Sequence, residues 1–377
     1  MRFSEIIGQH ATKERLVQTV RENRISHAQL FLGPEGSGTL ALALAYAQFI
    51  NCTGRAADNT DSCGTCPSCR KYELLIHPDL HFIYPVATTR EVDKKPVSKD
   101  FVRLWRELVL ERKGYFNLPM WYKKIQVENK QGIINADDCN ELIRILSYKA
   151  YEAEYKVMVI WMVEKLFHAA APKLLKILEE PPDKTLFLLV SEESGQIITT
   201  ILSRTQLEKI PRLGEEDLQQ ALINNYGYEL KDARRATLLA EGNLIEALDH
   251  LSNPDSGEFF NLFRQWMRLC YTVKIEPLNE WISTASKMGR ERQKGFFAFS
   301  LCGIRECFIY HYRPKELKLE GEDKEFVQRF SPRVTHKNIN EFYSLLNQCI
   351  FHIERNANPT LVFMDTSLQV ARLLRNP

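Results

Sequence analysis

The sequence predicts an α/β domain built around a parallel β-sheet, followed by a C-terminal part that is entirely helical. Three observations support this prediction. Apolar runs alternate with stretches of helical spacing in the first 210 residues, a glycine-rich turn joins the first apolar run to a helix-like stretch, and strand-like runs disappear after Pro211. Strands that alternate with helices along a chain form parallel sheets of the doubly wound type.

The strands and helices of the N-terminal part follow from the spacing of its apolar residues. The runs at 156–163 and 185–191 are apolar almost throughout, as expected for strands that are covered on both faces. Shorter apolar runs predict two further strands, at 28–32 and 81–85. Apolar residues at helical spacing predict helices at 3–21, 39–50, 135–146 and 167–178.

Changes in composition and in the spacing of apolar residues indicate the domain boundaries. The segment 87–130 is charged and rich in aromatic residues but follows neither period, so we expect an insertion or an elaborated loop there. Gly242-Asn243 separates two helices of a short unit, and the polar segment 253–257 is the best candidate for a linker. We therefore predict three domains, at 1–211, 212–254 and 255–377.

The overall composition excludes several classes of protein. The 377 residues include 50 Lys and Arg against 48 Asp and Glu, so the formal net charge of +2 creates no global attraction for nucleic acid or membranes. The hydrophobic share of 44% and the charged share of 26% are ordinary globular values. No run of about 18 apolar residues occurs, and residues 1–10 lack the apolar stretch of a signal peptide. We therefore expect a cytoplasmic protein with no membrane partner.

The glycine turn Gly33-Pro-Glu-Gly36-Ser-Gly38 has the frame of a phosphate-binding loop without its charged groups. Such loops have the pattern G-x-x-x-x-G-K-[ST], in which backbone N–H groups cradle the phosphates, the lysine reaches the β- and γ-phosphates and the hydroxyl holds magnesium. Here Thr39 stands at the lysine position and Leu40 at the hydroxyl position. The alternative interpretation is a plain glycine-rich turn between a strand and a helix.

A second loss of charged groups follows the apolar strand residues Val157 to Ile160. In a nucleotide-hydrolysing fold this strand supplies the acidic residue that orders the metal. The chain has Trp161 and Met162 here, with no carboxylate before Glu164. Magnesium prefers oxygen ligands, which neither an indole nor a thioether provides. If the domain has an ATPase fold, we therefore predict that it is an inactive one.

Four of the nine cysteines are clustered and predict a structural zinc site. Cys63, Cys66 and Cys69 form two overlapping C-x-x-C pairs, and ten residues separate them from a fourth thiol, Cys52. Four thiolates close a tetrahedral zinc site with no open position. The alternatives are free cysteines clustered by chance and a redox site, although a dithiol exchanger uses one C-x-x-C at a helix start. The other five cysteines are scattered along helical stretches, and we expect them to pack in the core. They are Cys139, Cys270, Cys302, Cys307 and Cys349.

Two further short segments, each taken alone, indicate no particular function. Pro181-Pro182 after Leu-Leu-Lys-Ile-Leu-Glu-Glu would simply stop a helix, and Ser203-Arg204 would be a surface turn. They occur, however, in a fixed order together with the glycine turn, the cysteine cluster and the segments Phe3-Ser-Glu-Ile-Ile-Gly-Gln9, His27-Ala-Gln-Leu-Phe-Leu32, His77-Pro-Asp79 and Tyr155-Lys-Val157. In this order they resemble the AAA+ clamp-loader subunits of bacterial DNA polymerase III, and among these most closely the delta-prime subunits, over residues 1–210.

The resemblance implies an architecture. It is the α/β AAA+ fold, in which a RecA-like parallel sheet with an inserted zinc module (52–69) is followed by a small helical lid domain (212–254) and an all-α collar domain (255–377). The insertion at 87–130 exceeds the usual family length. The resemblance also implies a hetero-oligomer, with gamma/tau-like ATPases and a delta-like subunit as neighbours. The sliding clamp and primer-template DNA would be partners through the complex.

The resemblance also implies roles for the site residues. Delta-prime subunits are non-motor, stator-like members with a degenerate ATP site, so Gly33, Gly36 and Gly38 are not expected to bind ATP and Mg²⁺ productively. Their Ser-Arg-Cys motif, here with Thr205 in place of Cys, places an arginine in the neighbouring subunit's ATP site. Arg204 would therefore act catalytically in trans. Two other functions stay open, an active gamma/tau-like ATPase subunit and a zinc-containing DNA-binding protein.

Overall fold

The chain divides into two compact units, residues 1–233 with 240–248 and residues 234–239 with 249–377. The computed structural model describes residues 1–56, 60–127, 131–252, 256–314 and 321–375. The three-domain division therefore stays a prediction, and residues 253–255 of the expected linker lie outside the described residues.

A five-stranded parallel sheet forms the centre of the N-terminal unit. Its strands are β1 (Ala28–Leu32), β2 (Leu80–Ile83), β3 (Lys156–Trp161), β4 (Thr185–Ser191) and β5 (Gln206–Lys209). They lie in the order β2-β3-β4-β1-β5. Leu32 pairs with Ser191, and Val190 pairs with Trp161. The segments that follow β1, β3 and β4 therefore leave the sheet at the same edge.

Four of the five strands were predicted. β1 and β4 have the predicted bounds, and β2 and β3 overlap the predicted runs. β5 was missed because three of its four residues are exposed, so that it lacks an apolar pattern, and it pairs only with β1 at the edge of the sheet.

The helices of the N-terminal unit lie before, between and after these strands. They are α1 (His10–Arg21), α2 (Thr39–Ile50), α3 (Pro67–Glu73), α4 (Val102–Arg112), α5 (Leu118–Lys124), α6 (Ala136–Leu146), α7 (Ala171–Glu179), α8 (Thr199–Leu202), α9 (Glu215–Asn224), α10 (Leu230–Ala240) and α11 (Leu244–Ser252). The last two of these helices are divided between the units, because 234–239 of α10 and 249–252 of α11 belong to the second unit.

Two of these helical segments differ from the sequence prediction. The helix predicted at 3–21 begins only at His10, because Gly8 and Gln9 both have positive φ and interrupt it. The segment 87–130, expected as an insertion or elaborated loop, contains α4 and α5. The buried residues of α4 are Trp105, Leu108 and Val109 and that of α5 is Trp121, so the apolar pattern of each helix is too short to stand out in a charged segment.

A buried carboxylate connects β2 to the loop before β3. Asp79, in the His77-Pro-Asp79 segment, accepts hydrogen bonds from the backbone N–H groups of Tyr151, Glu152 and Ala153 at 2.6–2.9 Å. Burial alone raises the pKa of Asp79, but these three donors bring it below its ordinary value. The carboxylate thus fixes the start of β3 beside β2.

The second unit is helical. It contains α12 (Ser256–Thr272), α13 (Ile275–Ala285), α14 (Arg290–Tyr312), α15 (Gly321–Phe330), α16 (Ile339–Glu354) and α17 (Pro359–Arg375). Aromatic residues fill its core: Trp266 stacks on Trp281 at 5.7 Å between ring centroids and donates a hydrogen bond from Nε1 to Ser367. Among the described residues of both units, no helix is both long and apolar enough to span a bilayer.

Candidate functional site

The glycine turn lies between β1 and α2, at the edge where the parallel strands end. Gly36 and Gly38 have positive φ values of 73° and 88°, which explains the need for glycine at both positions. The side-chain amide of Gln9 donates to the carbonyl oxygens of Ser37 (3.1 Å) and Pro211 (2.7 Å) and holds the turn in place. The turn therefore joins β1 to α2 through two positions that require glycine.

An asparagine from the start of α11 packs into the turn. A Cβ atom on Gly36 would overlap the Asn243 side chain, whose Nδ2 lies 3.4 Å from the Glu35 carboxylate. The backbone N–H of Leu244 also donates to the Gly36 carbonyl oxygen at 3.3 Å. One side of the loop is thus filled by protein atoms.

The insertion fills the other side. Lys113 and Gly114 both have positive φ after α4, so the chain turns sharply and brings Tyr115 to the N-terminus of α2. A Cβ atom on Gly38 would lie 2.8 Å from the Tyr115 hydroxyl oxygen. That hydroxyl accepts a hydrogen bond from the backbone N–H of Ile7 at 3.1 Å.

Tyr115 is a fixed part of the core. It is 5% exposed, and burial raises its pKa above the ordinary value for tyrosine. Gly114 lies against the backbone of Ala41, since a Cβ on this glycine would be 3.1 Å from the Ala41 Cα and N atoms. A helix N-terminus after a glycine turn is where a phosphate would bind, and here a buried ring lies against it.

The groups that replace the lysine and the hydroxyl are buried. Thr39 is 6% exposed, and its Oγ1 lies 3.2 Å from the hydroxyl of Ser37, which itself donates to the Pro34 carbonyl oxygen. Leu40 is 2% exposed and packs in the core. Neither side chain brings a positive charge to the turn.

Trp161, at the end of β3, belongs to a cluster of rings that we call the aromatic cluster. The Trp161 ring lies 5.2 Å from Trp105 and 5.1 Å from Phe116, both in the insertion. Trp105 also stacks on Tyr84 at 4.2 Å and meets Trp121 edge-on at 5.3 Å. Trp161 stands where an ATPase would have its metal-ordering carboxylate, and it is part of an apolar core.

Glu192, which follows β4, has three other carboxylates near it at this edge of the sheet. Glu164, after β3, accepts a hydrogen bond from the backbone N–H of Glu192, after β4. Burial, together with the charges of Glu35, Glu164 and Glu193, raises the pKa of Glu192 to about 8. Their shared position could be predicted only once the strand order was known.

Arg204 follows α8 and lies at the surface. Its Nε and Nη2 atoms lie 2.6 Å and 2.5 Å from one carboxylate oxygen of Glu179, at the end of α7. Nη1 donates to the Thr200 carbonyl oxygen at 3.0 Å and lies 3.3 Å from the Ser203 hydroxyl. These contacts are with its own helix and with α7, not with the glycine turn.

The four clustered cysteines come together. Cys52 directly follows α2, Cys63 lies in the next loop, Cys66 caps α3 and Cys69 lies in the first turn of α3. All four Sγ atoms lie within 4.8 Å of one another. Backbone N–H groups donate to three of the sulfurs at 3.3–3.4 Å. Four converging sulfurs fit a tetrahedral zinc ion.

The remaining cysteines lie elsewhere, in helices. Cys139 packs in the core of the N-terminal unit and Cys270, Cys307 and Cys349 pack in that of the helical unit, whereas Cys302 is partly buried. Their predicted packing role agrees with this burial.

Comparison with known proteins gives matches to DNA polymerase III subunits. A family model described as "DNA polymerase III, delta subunit" matches residues 8–214. The chain is 27% identical to subunit delta' of Haemophilus influenzae over 67% of the chain and 63% of that protein. It is 25% identical to subunit tau/gamma of the same organism over 65% of the chain and 30% of that protein. A solved structure of a gamma subunit-related protein from Thermotoga maritima is 15% identical, covers 97% of this chain and 100% of that one, and has a TM-score of 0.35.

The chain thus spans less than two thirds of the length of each of these two curated relatives. The family model, in contrast, covers more than half of the chain, including the glycine turn, the cysteine cluster, the insertion and Arg204. The chain therefore belongs to the family that this model describes, DNA polymerase III, delta subunit, as a delta-prime-like member.

Proposed function

We propose that the chain is a non-motor, stator-like subunit of the DNA polymerase III clamp loader, of the delta-prime kind. It would help to load the sliding clamp on primed DNA, in a ring with gamma/tau-like ATPases and a delta-like subunit. The observation that carries the proposal is the packing of Tyr115 against Gly38 of the glycine turn. A subunit whose phosphate loop is filled by its own insertion has no place for a nucleotide that would drive its motion.

The charges at the sheet edge where β1, β3 and β4 end also support a non-motor role. Thr39 and Leu40 bring no charge to the turn, Trp161 offers no metal ligand, and three carboxylates lie nearby. Phosphoryl transfer depends on positive charge that neutralises the phosphates and on oxygen ligands for magnesium. The chain offers neither at the place where the family's active members would use them.

An active gamma/tau-like ATPase is the second candidate, because the chain is almost as similar to a tau/gamma subunit as to a delta' subunit. Sequence identity does not separate the two, but the filled loop favours the non-motor role. A zinc-containing DNA-binding protein is less well supported, since the formal net charge is only +2.

We further propose that Arg204 acts in the ATP site of the neighbouring subunit. Its guanidinium lies at the surface, with a side-chain exposure of 35%, two residues after the end of α8. A guanidinium is always charged and offers a planar fork of N–H donors, which suits the γ-phosphate in the transition state. The chain would thus supply catalysis to its neighbour while having no ATP turnover of its own.

The zinc ion proposed at the cysteine cluster has a structural role. Cys52, Cys63, Cys66 and Cys69 would use all four coordination positions, so no water or substrate could bind the metal. The ion would join the end of α2 to α3 and supply folding free energy to a loop that has little other core.

The isolated chain is expected to show no ATP turnover, with or without DNA and clamp. The double variant Thr39→Lys, Leu40→Thr should also be inactive, because Tyr115 and Trp161 still occupy the sites of phosphate and metal ligand. Phosphate release by highly purified protein is the measurement. Turnover that co-elutes with the wild-type chain through successive columns would show that it is a motor subunit.

Arg204→Ala should leave folding, zinc content and assembly unchanged and slow DNA- and clamp-stimulated ATP hydrolysis by the reconstituted complex. Arginine fingers are worth on the order of a thousandfold in dedicated GTPases, but only one of several interfaces is affected here, so the total rate should fall less. Arg204→Lys should restore little, because an ammonium lacks the planar fork. Equal rates for wild-type and Arg204→Ala complexes, with assembly verified, would refute the finger.

Elemental analysis should find one zinc ion per chain purified in reducing buffer. Cys63→Ser or Cys66→Ser should reduce the zinc content strongly and lower the melting temperature, since metal binding contributes folding free energy. Cys302→Ser, a partly buried cysteine outside the cluster, is the control and should keep the zinc. A metal-free protein that is fully folded, or a disulfide among the four cysteines, would contradict this prediction.

A further inference from the structure

The Glu179–Arg204 pair has a geometry that leaves part of the guanidinium available. One oxygen of Glu179 receives both Nε and Nη2, at 2.6 Å and 2.5 Å, so the carboxylate lies on the inner edge of the guanidinium. Nη1 donates one N–H to the Thr200 carbonyl oxygen. Nη1 also donates to the Ser203 hydroxyl at 3.3 Å. Of the five N–H donors that a guanidinium holds in a fixed plane, the second N–H of Nη2 remains for another anion.

Two of the residues that contact Arg204, Glu179 and Thr200, belong to helices. Glu179 is the last residue of α7, and Pro181 and Pro182 limit the backbone immediately after it. Thr200 belongs to α8, whose end is fixed by a hydrogen bond from the Thr205 hydroxyl to the Ile201 carbonyl oxygen. The carboxylate therefore contacts the guanidinium from a fixed position.

Two properties argue against a stabilising role for this pair. The side chains are 48% and 35% exposed, and exposed ion pairs contribute little to folding. The adjacent Glu180 is also exposed, and its backbone N–H donates to the Lys176 carbonyl oxygen, but among the described residues its carboxylate has no ion-pair partner. The interaction is thus specific to Glu179, although both carboxylates have the same local charge.

We propose that Glu179 is a positioning residue for the arginine finger. By binding the inner edge of the guanidinium, it holds Arg204 in one orientation, with the remaining N–H of Nη2 directed to the γ-phosphate of ATP bound to the neighbouring subunit. The proposal rests on the proposed function of Arg204 in trans. A long, flexible arginine loses much conformational freedom when it binds, and a partner that orders it beforehand reduces that loss in the transition state.

The test compares complexes reconstituted with wild-type chain, Glu179→Gln, Glu179→Ala and the matched control Glu180→Gln. We expect Glu179→Gln to lower kcat of the DNA- and clamp-stimulated ATPase about threefold and Glu179→Ala more, with KM for ATP nearly unchanged, because an interaction made in the transition state is lost. Glu180→Gln should match wild type. The melting temperature of all variants should be unchanged, which a merely structural role would not allow.

A double-mutant cycle separates this proposal from the one on which it rests. In an Arg204→Ala background, Glu179→Ala should have no further effect, because the two residues act as one unit. If Arg204→Ala itself leaves the rate unchanged, the finger and its positioning both fail. If Arg204→Ala slows hydrolysis while Glu179→Ala equals wild type or accelerates it, only the positioning role is wrong, and acceleration would mean that Glu179 restrains the arginine.

Discussion

The packing of one inserted tyrosine against the glycine turn is the contact on which the rest of the site depends. Tyr115 lies where any side chain on Gly38 would have to be, and Gly114 brings the insertion against α2 at Ala41. Backbone N–H groups and the helix dipole favour an anion at such an N-terminus. A nucleotide would first have to displace a buried ring and break its hydrogen bond with Ile7. In the proposed function, the insertion therefore adds to the effect of the missing lysine.

The other features of this edge are consistent with that contact. Trp161 joins the aromatic cluster with Trp105 and Phe116, so apolar packing replaces metal coordination. Glu192 has a raised pKa, which reflects burial among other carboxylates. Aromatic packing thus fills the sheet edge at the end of β3. A domain of this kind suits a subunit that holds a fixed conformation and presents Arg204, oriented by Glu179, to a neighbour.

The sequence was sufficient for features that depend on local patterns. β1 and β4 were predicted with their observed bounds because both are apolar runs, and the losses at Thr39 and Trp161 could be recognised within one motif each. β5 was not predicted, since an edge strand with exposed residues has no apolar pattern. Contacts between segments that are far apart in the chain could not be predicted from the sequence either. Tyr115 and Ile7 are 108 residues apart, and the only local signal was an aromatic-rich insertion after a glycine.

A structure of the assembled clamp loader with a non-hydrolysable ATP analogue and Mg²⁺ tests most directly whether the insertion takes the place of a nucleotide. We expect the analogue in the ATP sites of neighbouring subunits, none in the turn from Gly33 to Gly38, and Tyr115 still packed against Gly38. An analogue bound in this turn, with Tyr115 moved aside, would contradict the central claim.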